Sequence, residues 1–336
     1  MRAFYAVFLA FYASFAAAAA DPGPCTAANA GPLKSDGKQR LVVGTGNTGG
    51  VFFPYGGGLA RIVSAKLPRT EMTAEVTGGS VDNLKLLHKK EADLALTTLD
   101  SVYDAIRGEG AYKDVGKVPA CAIAVLYESF IHVVALEGNG IRTVADMRGK
   151  RISVGSPGSS TEEVANRILA ASGLDPAKDI KREFLSISES AAAMKDKKID
   201  AFFWIGGLPT AAVTDLAATP GIALEFLDAT GLYDAMVRQY GAVYGKLTLA
   251  KGTYPGLAKD VAGLGVANLV AVNASMPEAL VRDLLRTLFD NAAEVQKVHP
   301  EAKSFALANA VKGSDTAPVP FHPGAIGFYR EKSVWK

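Results

Sequence analysis

Three times along this 336-residue chain a short apolar run ends in glycines and small hydroxyl residues, then passes into apolar residues at helical spacing. Leu41-Val42-Val43 leads into GTGNTGG at 44–50, and the same device returns as TGGS at 77–80 and GSPGSST at 155–161. DAFFWIGG at 200–207 makes a fourth turn of this kind. Alternating strands and helices of this length predict an α/β fold, a parallel sheet with helices on both faces. Ligands of such sheets sit beyond the carboxyl ends of the strands, where these turns fall. Each turn also opens a helix, and helix N-termini present unpaired N–H groups and a partial positive charge. Several of them around one crevice can hold a small anion without a dedicated cation.

Arg2, an apolar stretch from Ala3 to Phe15 and an alanine run ending at Ala20 follow the order of a secretory signal, with cleavage expected after Ala20. A retained membrane anchor is the alternative, since this stretch approaches spanning length. The small residues at its end favour cleavage. No later stretch is long and apolar enough to span a bilayer, so an exported, periplasmic protein is expected. Residues 21–39, rich in Gly, Pro and Ala, read as an extended lead-in. The formal charge is +2, with acidic and basic residues interspersed, which offers nucleic acid no basic surface. Cys25 and Cys121 are expected to form one disulfide in an exported chain, two free thiols being the alternative.

From Arg40 onward the candidate strands are Leu41–Val43, Thr73–Val76 and Leu94–Leu96, with helices between them. The segment 119–136 (PACAIAVLYESFIHVVAL) breaks the rhythm. It is a long strand-prone run with Glu128 as its only full charge, suited to leave one domain and enter another. A second series follows, with strands at Ile152–Val154, Glu183–Leu185, Ala201–Trp204 and Ala223–Leu227. Ser275 to Glu278 reads as a capping box, with Pro277 near the start of a helix that carries Val281, Leu284, Leu285 and Leu288. Two lobes are expected, residues 40–128 with 250–336 and residues 129–249, with a ligand cleft between them.

Catalytic patterns find little support. Gly44-x-Gly46-x-x-Gly49 has the form of a dinucleotide fingerprint, but Pro54 places the helix later and the next strand ends in Val76-Thr77 instead of an acidic residue. Gly241-x-x-x-Gly245-Lys246 has the wrong spacing for a phosphate loop, and Leu247 stands where Ser or Thr must hold magnesium. Ser156, Ser159 and Ser160 would need a base to act as nucleophiles, and His88, His132, His299 and His322 share no spacing with them. His88 and His299 read as surface residues, the latter at a helix C-terminus, and His132 as either core or cleft wall. No His/Cys/Asp/Glu cluster has metal-ligand spacing, so no cofactor and no metal is expected. Ser80 offers an N-cap, and Ser159 with Glu162 or Ser160 with Glu163 offers capping boxes. Such caps recurring at equivalent strand ends favour a shared ligand site. Phe52, Phe53, Tyr55 and Trp204 are placed to pack on the ligand's apolar part or to seal the lobes' own cores.

The stretches GTGNTGGVFFPYGGGLA (44–60), VTGGSVDNLKLL (76–87), EADLALTTLDSVYDA (91–105), MRGKRISVGSPGSSTEE (147–163), DAFFWIGGLPTAAV (200–213), GTYPGLAKDV (252–261) and FHPGAIGFYRE (321–331) span nearly all of the chain after the signal. In this order they resemble the TAXI-type solute-binding proteins of TRAP transporters. The resemblance implies a type II periplasmic-binding-protein fold, a monomer, that closes on one small solute and presents it to a sodium-driven TRAP-type permease. It implies an organic carboxylate, a glutamate-like amino acid or a dicarboxylate, as ligand. The cleft residues it implies are Thr45, Asn47, Thr48, Gly49, Ser80, Asn83, Ser156, Ser159, Ser160, Thr161, Trp204 and Gly206, and Tyr55 and Asp100 join them as ligand-binding candidates. Leu99 departs from the polar residue common there and becomes a candidate specificity position. The turns hold no arginine, so a charged ligand would be met by N–H and hydroxyl groups or by Arg107 or Arg151 folded in from elsewhere. The rival expectations are a sensory receptor docking on a membrane kinase and an exported hydrolase using Ser156 or Ser160.

Overall fold

The computed structural model describes residues 24–26, 38–313 and 318–335; the expected signal segment and most of the expected lead-in lie outside them. In chain order the main elements are β1 (Gln39–Gly44), α1 (Phe52–Lys66), β2 (Thr70–Glu75), α2 (Ser80–Lys89), β3 (Leu94–Thr98), α3 (Leu99–Arg107), β4 (Ala120–Leu136), β5 (Arg151–Ser153), α4 (Ser160–Ala171), β6 (Lys181–Glu183), α5 (Ile187–Lys195), β7 (Ala201–Gly206), α6 (Ala211–Ala217), β8 (Leu224–Phe226), α7 (Tyr233–Tyr240), β9 (Tyr244–Leu249), β10 (Val261–Asn273) and α8 (Glu278–Asp290). Shorter helical turns follow, and a helix at Pro323–Glu331 ends the described chain.

The strands join in the order β2-β1-β3-β10-β4-β7-β5-β6, with β8 against β4 and β9 against β10. β1 is parallel to β2 and β3, and β5 is parallel to β6 and β7. The expected all-parallel sheet is thus corrected at its centre. β10 is antiparallel to β3, β4 and β9, and β4 is antiparallel to β7 and β8. The reason lies in the long run 120–136, which no helix interrupts: β4 pairs with β10 along Ala120–Phe130 and with β7 from Phe130 onward.

Three hydrophobic clusters divide the molecule. The first joins Leu41 through Tyr127 to Leu269 through Tyr329 and forms one lobe. The second and third lie on opposite faces of the other half, as the alternation of β4 and β7 requires. Ile131, Val133 and Phe203 face one way, Phe130, Val134 and Phe202 the other. The α/β architecture with two lobes and a cleft between them is the expected fold class. α8 buries Val281, Leu284, Leu285 and Leu288, but its expected capping box is absent. Pro277 stands at the N-cap, and the Ser275 hydroxyl donates to Asn273 Oδ1 instead.

Two strands sit earlier than the apolar runs suggest. β2 starts at Thr70 and ends at Glu75, because its six residues match β1 one for one; Val76 is left 52% exposed. β6 occupies Lys181–Glu183, an edge strand that pairs with Arg151–Ser153, and its polar residues hid it from an apolar-run reading. Cys25 and Cys121 are bonded, 96 residues apart in sequence, which ties the lead-in to the start of β4. Cross-linking so long a loop restricts the unfolded chain strongly. Replacing both cysteines by alanine is expected to cost about 2–4 kcal/mol in denaturant unfolding, and an unchanged midpoint would show that the bond adds no stability.

Candidate functional site

A cavity of about 50 Å³ lies between the lobes where four helices begin. The first lobe supplies the 46–52 turn before α1, Gly78-Gly79-Ser80 at α2, and Thr98 at the N-cap of α3. The second lobe supplies Ser156 and Ser159-Ser160-Thr161 at α4 and Trp204-Ile205-Gly206 at the end of β7. The floor is Tyr127 and Ser129 of β4 with Asn268 of β10. Among the described residues no Lys, Arg, His, Asp or Glu lines this space.

The N-termini of α2 and α4 abut. Gly79, the N-cap of α2, has φ +130°, a conformation L side chains rarely adopt, and a Cβ there would lie 3.4 Å from Ser159 Cα. Across the same junction the Asp82 N–H donates to the Gly158 carbonyl at 3.1 Å. Asn47 Nδ2 donates to Ser156 Oγ at 3.1 Å, a second bond between the lobes. Ser159, not Ser160, caps α4: its hydroxyl accepts from the Glu162 N–H and donates to the Ser156 carbonyl. Ser80 is not the cap of α2; its hydroxyl accepts from the Thr98 N–H at 3.2 Å and links α2 to β3. Ser160 is 95% buried, and no hydrogen bond of its hydroxyl exists within the described residues.

Trp204 forms the wall on the second lobe. Its Nε1 donates to Thr210 Oγ1 at 3.0 Å, and a Cβ on Gly50 would lie 3.2 Å from its ring edge. Behind it, Tyr254 OH accepts from the Thr210 N–H at 3.0 Å and meets His132 Nε2 at 2.8 Å. Tyr254 therefore donates to Nε2, and the proton sits on Nδ1, facing the Trp204 carbonyl at 3.2 Å. Burial lowers the His132 pKa to about 4, so the ring stays neutral. His132 is core behind the cleft. His299 caps the turn Pro300–Ser304 at its N-terminal side rather than closing a helix.

Eight of the residues singled out in the sequence line the cavity: Asn47, Ser80, Ser156, Ser159, Ser160, Thr161, Trp204 and Gly206. Six do not. Thr45 is buried with its hydroxyl on the Glu75 carbonyl, and Thr48 and Gly49 are exposed. Tyr55 is buried and stacks on Tyr127, ring centroids 6.0 Å apart, so it backs the floor. Asn83, wholly buried, donates to the carbonyls of Thr45 and Leu96 at 2.6 and 2.7 Å and accepts from Thr77. It fastens the turn from behind. Phe52 lines the cavity and Phe53 does not. Arg107 is paired with Glu109 and Arg151 with Asp200, so neither reaches the cavity. Tyr127, Ser129 and Asn268 escaped the sequence reading. Their one signal was polarity inside apolar strands: Asn268 Nδ2 donates to Ser129 Oγ at 2.8 Å.

Asp100 belongs to a buried ion cluster between the lobes. Arg167 of α4 pairs with Asp104 and lies 3.8 Å from Asp100, both on α3; it also donates to Tyr244 OH at 2.8 Å, which donates to Asp100 Oδ2. Burial, outweighing the attraction of Arg167, pushes the Asp104 carboxyl up to about 6. A carboxyl with a raised folded pKa takes up a proton on folding between its two pKa values, so its contribution to stability grows as pH falls. The stability of the protein relative to Asp104→Asn is expected to rise by about 1 kcal/mol between pH 7 and pH 5. Thermal unfolding of both at the two pH values measures it. Asn83→Ala leaves two buried carbonyls unpaired and is expected to cost about 2–3 kcal/mol of stability, which sets it apart from cavity-lining residues in the same assay.

In comparisons with solved structures the chain aligns with a periplasmic aliphatic sulphonate binding protein from Escherichia coli at 16% identity, TM-score 0.42, covering 87% of this chain and 83% of that one. It aligns with an alkanesulfonate-binding protein from Xanthomonas axonopodis pv. citri, bound to MOPS, at 17% identity and TM-score 0.43, covering 90% and 82%. A binding protein component of an ABC phosphonate transporter from Pseudomonas aeruginosa aligns at 11% identity and TM-score 0.49, covering 79% of each chain. A family model matches residues 43–333, nearly the whole of the described chain, and by that match this protein belongs to the NMT1-like family.

Proposed function

We propose that this protein is an extracytoplasmic solute receptor that closes its two lobes on a small organic carboxylate and delivers it to a TRAP-type, sodium-driven membrane permease. The observation that carries the reading is the junction of α2 and α4. Two helix N-termini from opposite lobes meet around a cavity without a charged side chain. Their partial positive charges repel each other when the cavity is empty. An anion between them turns that repulsion into attraction for both lobes, which gives the closed state the differential affinity that closure requires. The moving bodies are those expected from residues 40–128 with 250–336 and from 129–249, with the return to the first lobe placed later, inside β10. Tyr254, Val261, Leu264 and Val266 pack in the second lobe, and the first resumes at Leu269. β4 and β10 are the hinge between them. Asn47, Ser156 and the Ser160 hydroxyl complete the donor set.

The resemblance to TAXI-type proteins supports the transport partner and names glutamate-like amino acids and dicarboxylates as members of the ligand class. The Cys25–Cys121 bond suits an oxidising compartment, in keeping with a periplasmic location. Hydrolysis by Ser156 or Ser160 is the weaker reading, because the cavity lining offers no base within reach of either hydroxyl.

A thermal-shift and calorimetric screen of amino acids, carboxylates and sugars tests the proposal. A ligand at a hundredfold excess over its dissociation constant adds about 2.7 kcal/mol of stability. Selective binding of a carboxylate is the expected result, and Ser160→Ala is expected to weaken it about tenfold while leaving the ligand-free midpoint unchanged. Turnover of an ester or amide, or sugar binding alone, would overturn the reading.

A further inference from the structure

Resting on that receptor reading, we infer that the solute is a monocarboxylate of about two to three carbons and that Asp82 rejects a second negative charge, which narrows the ligand class to exclude the dicarboxylates and glutamate-like acids that the TAXI resemblance names. The size follows from the cavity, about 50 Å³ in this closed arrangement. A water-sized group needs about 10–15 Å³ on this measure, so the space takes roughly three to five such groups.

The charge follows from what surrounds it. The beginnings of α1, α2, α3 and α4 aim partial positive charge at the cavity, and acids in the first turns of α2, α3 and α4 oppose it. Asp100 is drawn into the Arg167 cluster, Glu162 pairs with Arg182, and Glu163 borders a separate crevice with Arg167, so Asp82 is the acid set against the cavity's own turns. Its Oδ2 accepts from the Gly78 N–H at 3.1 Å. A Cβ on Gly158 would overlap its Oδ1, and one on Gly78 would lie 2.5 Å from its Oδ2. The carboxylate is thus wedged between the two glycine turns that shape the cavity, immediately behind its lining. Among the described residues no arginine or lysine pairs with it or lines the cavity. Arg182 is paired with Glu162, Arg167 with Asp104, Arg151 with Asp200 and Arg107 with Glu109. A dicarboxylate brings a second charge that meets Asp82 across a half-buried junction, where repulsion is less screened than between fully exposed groups. The walls beside the donors, Val51, Phe52, Tyr127 and Ile205, suit a short apolar tail instead.

Calorimetry with propionate and succinate on the wild type and on Asp82→Asn tests this. Asparagine keeps an oxygen to accept from the Gly78 N–H while removing the charge. The wild type is expected to bind propionate at least about tenfold more tightly than succinate. In Asp82→Asn both affinities should rise, succinate's by the larger factor, so that the ratio narrows. A wild type that prefers succinate overturns the inference and leaves the receptor reading intact. So does an unchanged ratio in Asp82→Asn, with the fold verified by its thermal midpoint. If that variant does not fold, Asp82→Ser serves in its place, and the wild-type ratio alone still decides the ligand's charge. Binding of neither acid alongside binding of a sugar would remove the receptor reading for carboxylates and this inference with it.

Discussion

The antiparallel pairing of β4 with β10 holds everything else in place. Each strand runs through both lobes, so the two hydrophobic bodies are joined by backbone hydrogen bonds rather than by a loose linker. Register shifts at Asn268/Leu269 and Val270/Ala271 interrupt the ladder in the middle of the crossing, where a bulge bends a strand and strengthens its twist. Near this bend Tyr127, Ser129 and Asn268 turn toward the cavity and become its floor. The strands β1, β3, β5 and β7 take their places on either side, and the turns after them are brought face to face.

The electrostatic character of the site follows from that arrangement. Parallel strands end at the crevice, and each passes through a glycine turn into a helix, so donors point inward by construction. The charged side chains nearby are engaged elsewhere: Arg167 with two aspartates and Tyr244, Arg151 with Asp200, Asp82 between the turns. What remains at the surface of the cavity is N–H groups, hydroxyls and aromatic faces. Such a lining binds through fixed dipoles that are already oriented, with little side-chain freedom to lose.

The glycine turns were legible because their chemistry is local. Gly79 at φ +130° and Gly155 at φ +102° occupy conformations that other residues adopt only with strain, so the residues themselves announce the turn. Which polar residue beside a turn faces the cavity is a different matter. Ser80 and Asn83 lie three apart on one helix, yet one borders the cavity and the other fastens the turn from behind. The difference lies in Thr45, just past the end of β1, and Leu96 of β3, whose carbonyls Asn83 meets. Asp100 misled for the same reason, since its partners are 67 and 144 residues further along the chain. The floor residues were hidden by distance as well: Ser129 and Asn268 are polar interruptions in apolar strands, and only the crossing brings them together. The fold class depends on patterns repeated along the whole chain, whereas site membership depends on a few long-range meetings that no local window contains.

Trp204 is pinned from three directions, by Thr210 at its indole nitrogen, by Gly206 beneath its ring and by Gly50 of the other lobe at its edge. Tyr254 and His132 hold the segment behind it. It cannot serve as a swinging door. On the receptor reading, a bound solute leaves only when whole lobes part, so its residence time is set by the stiffness of two strands and not by the looseness of any side chain. A membrane partner that bends those strands would control release without touching the solute.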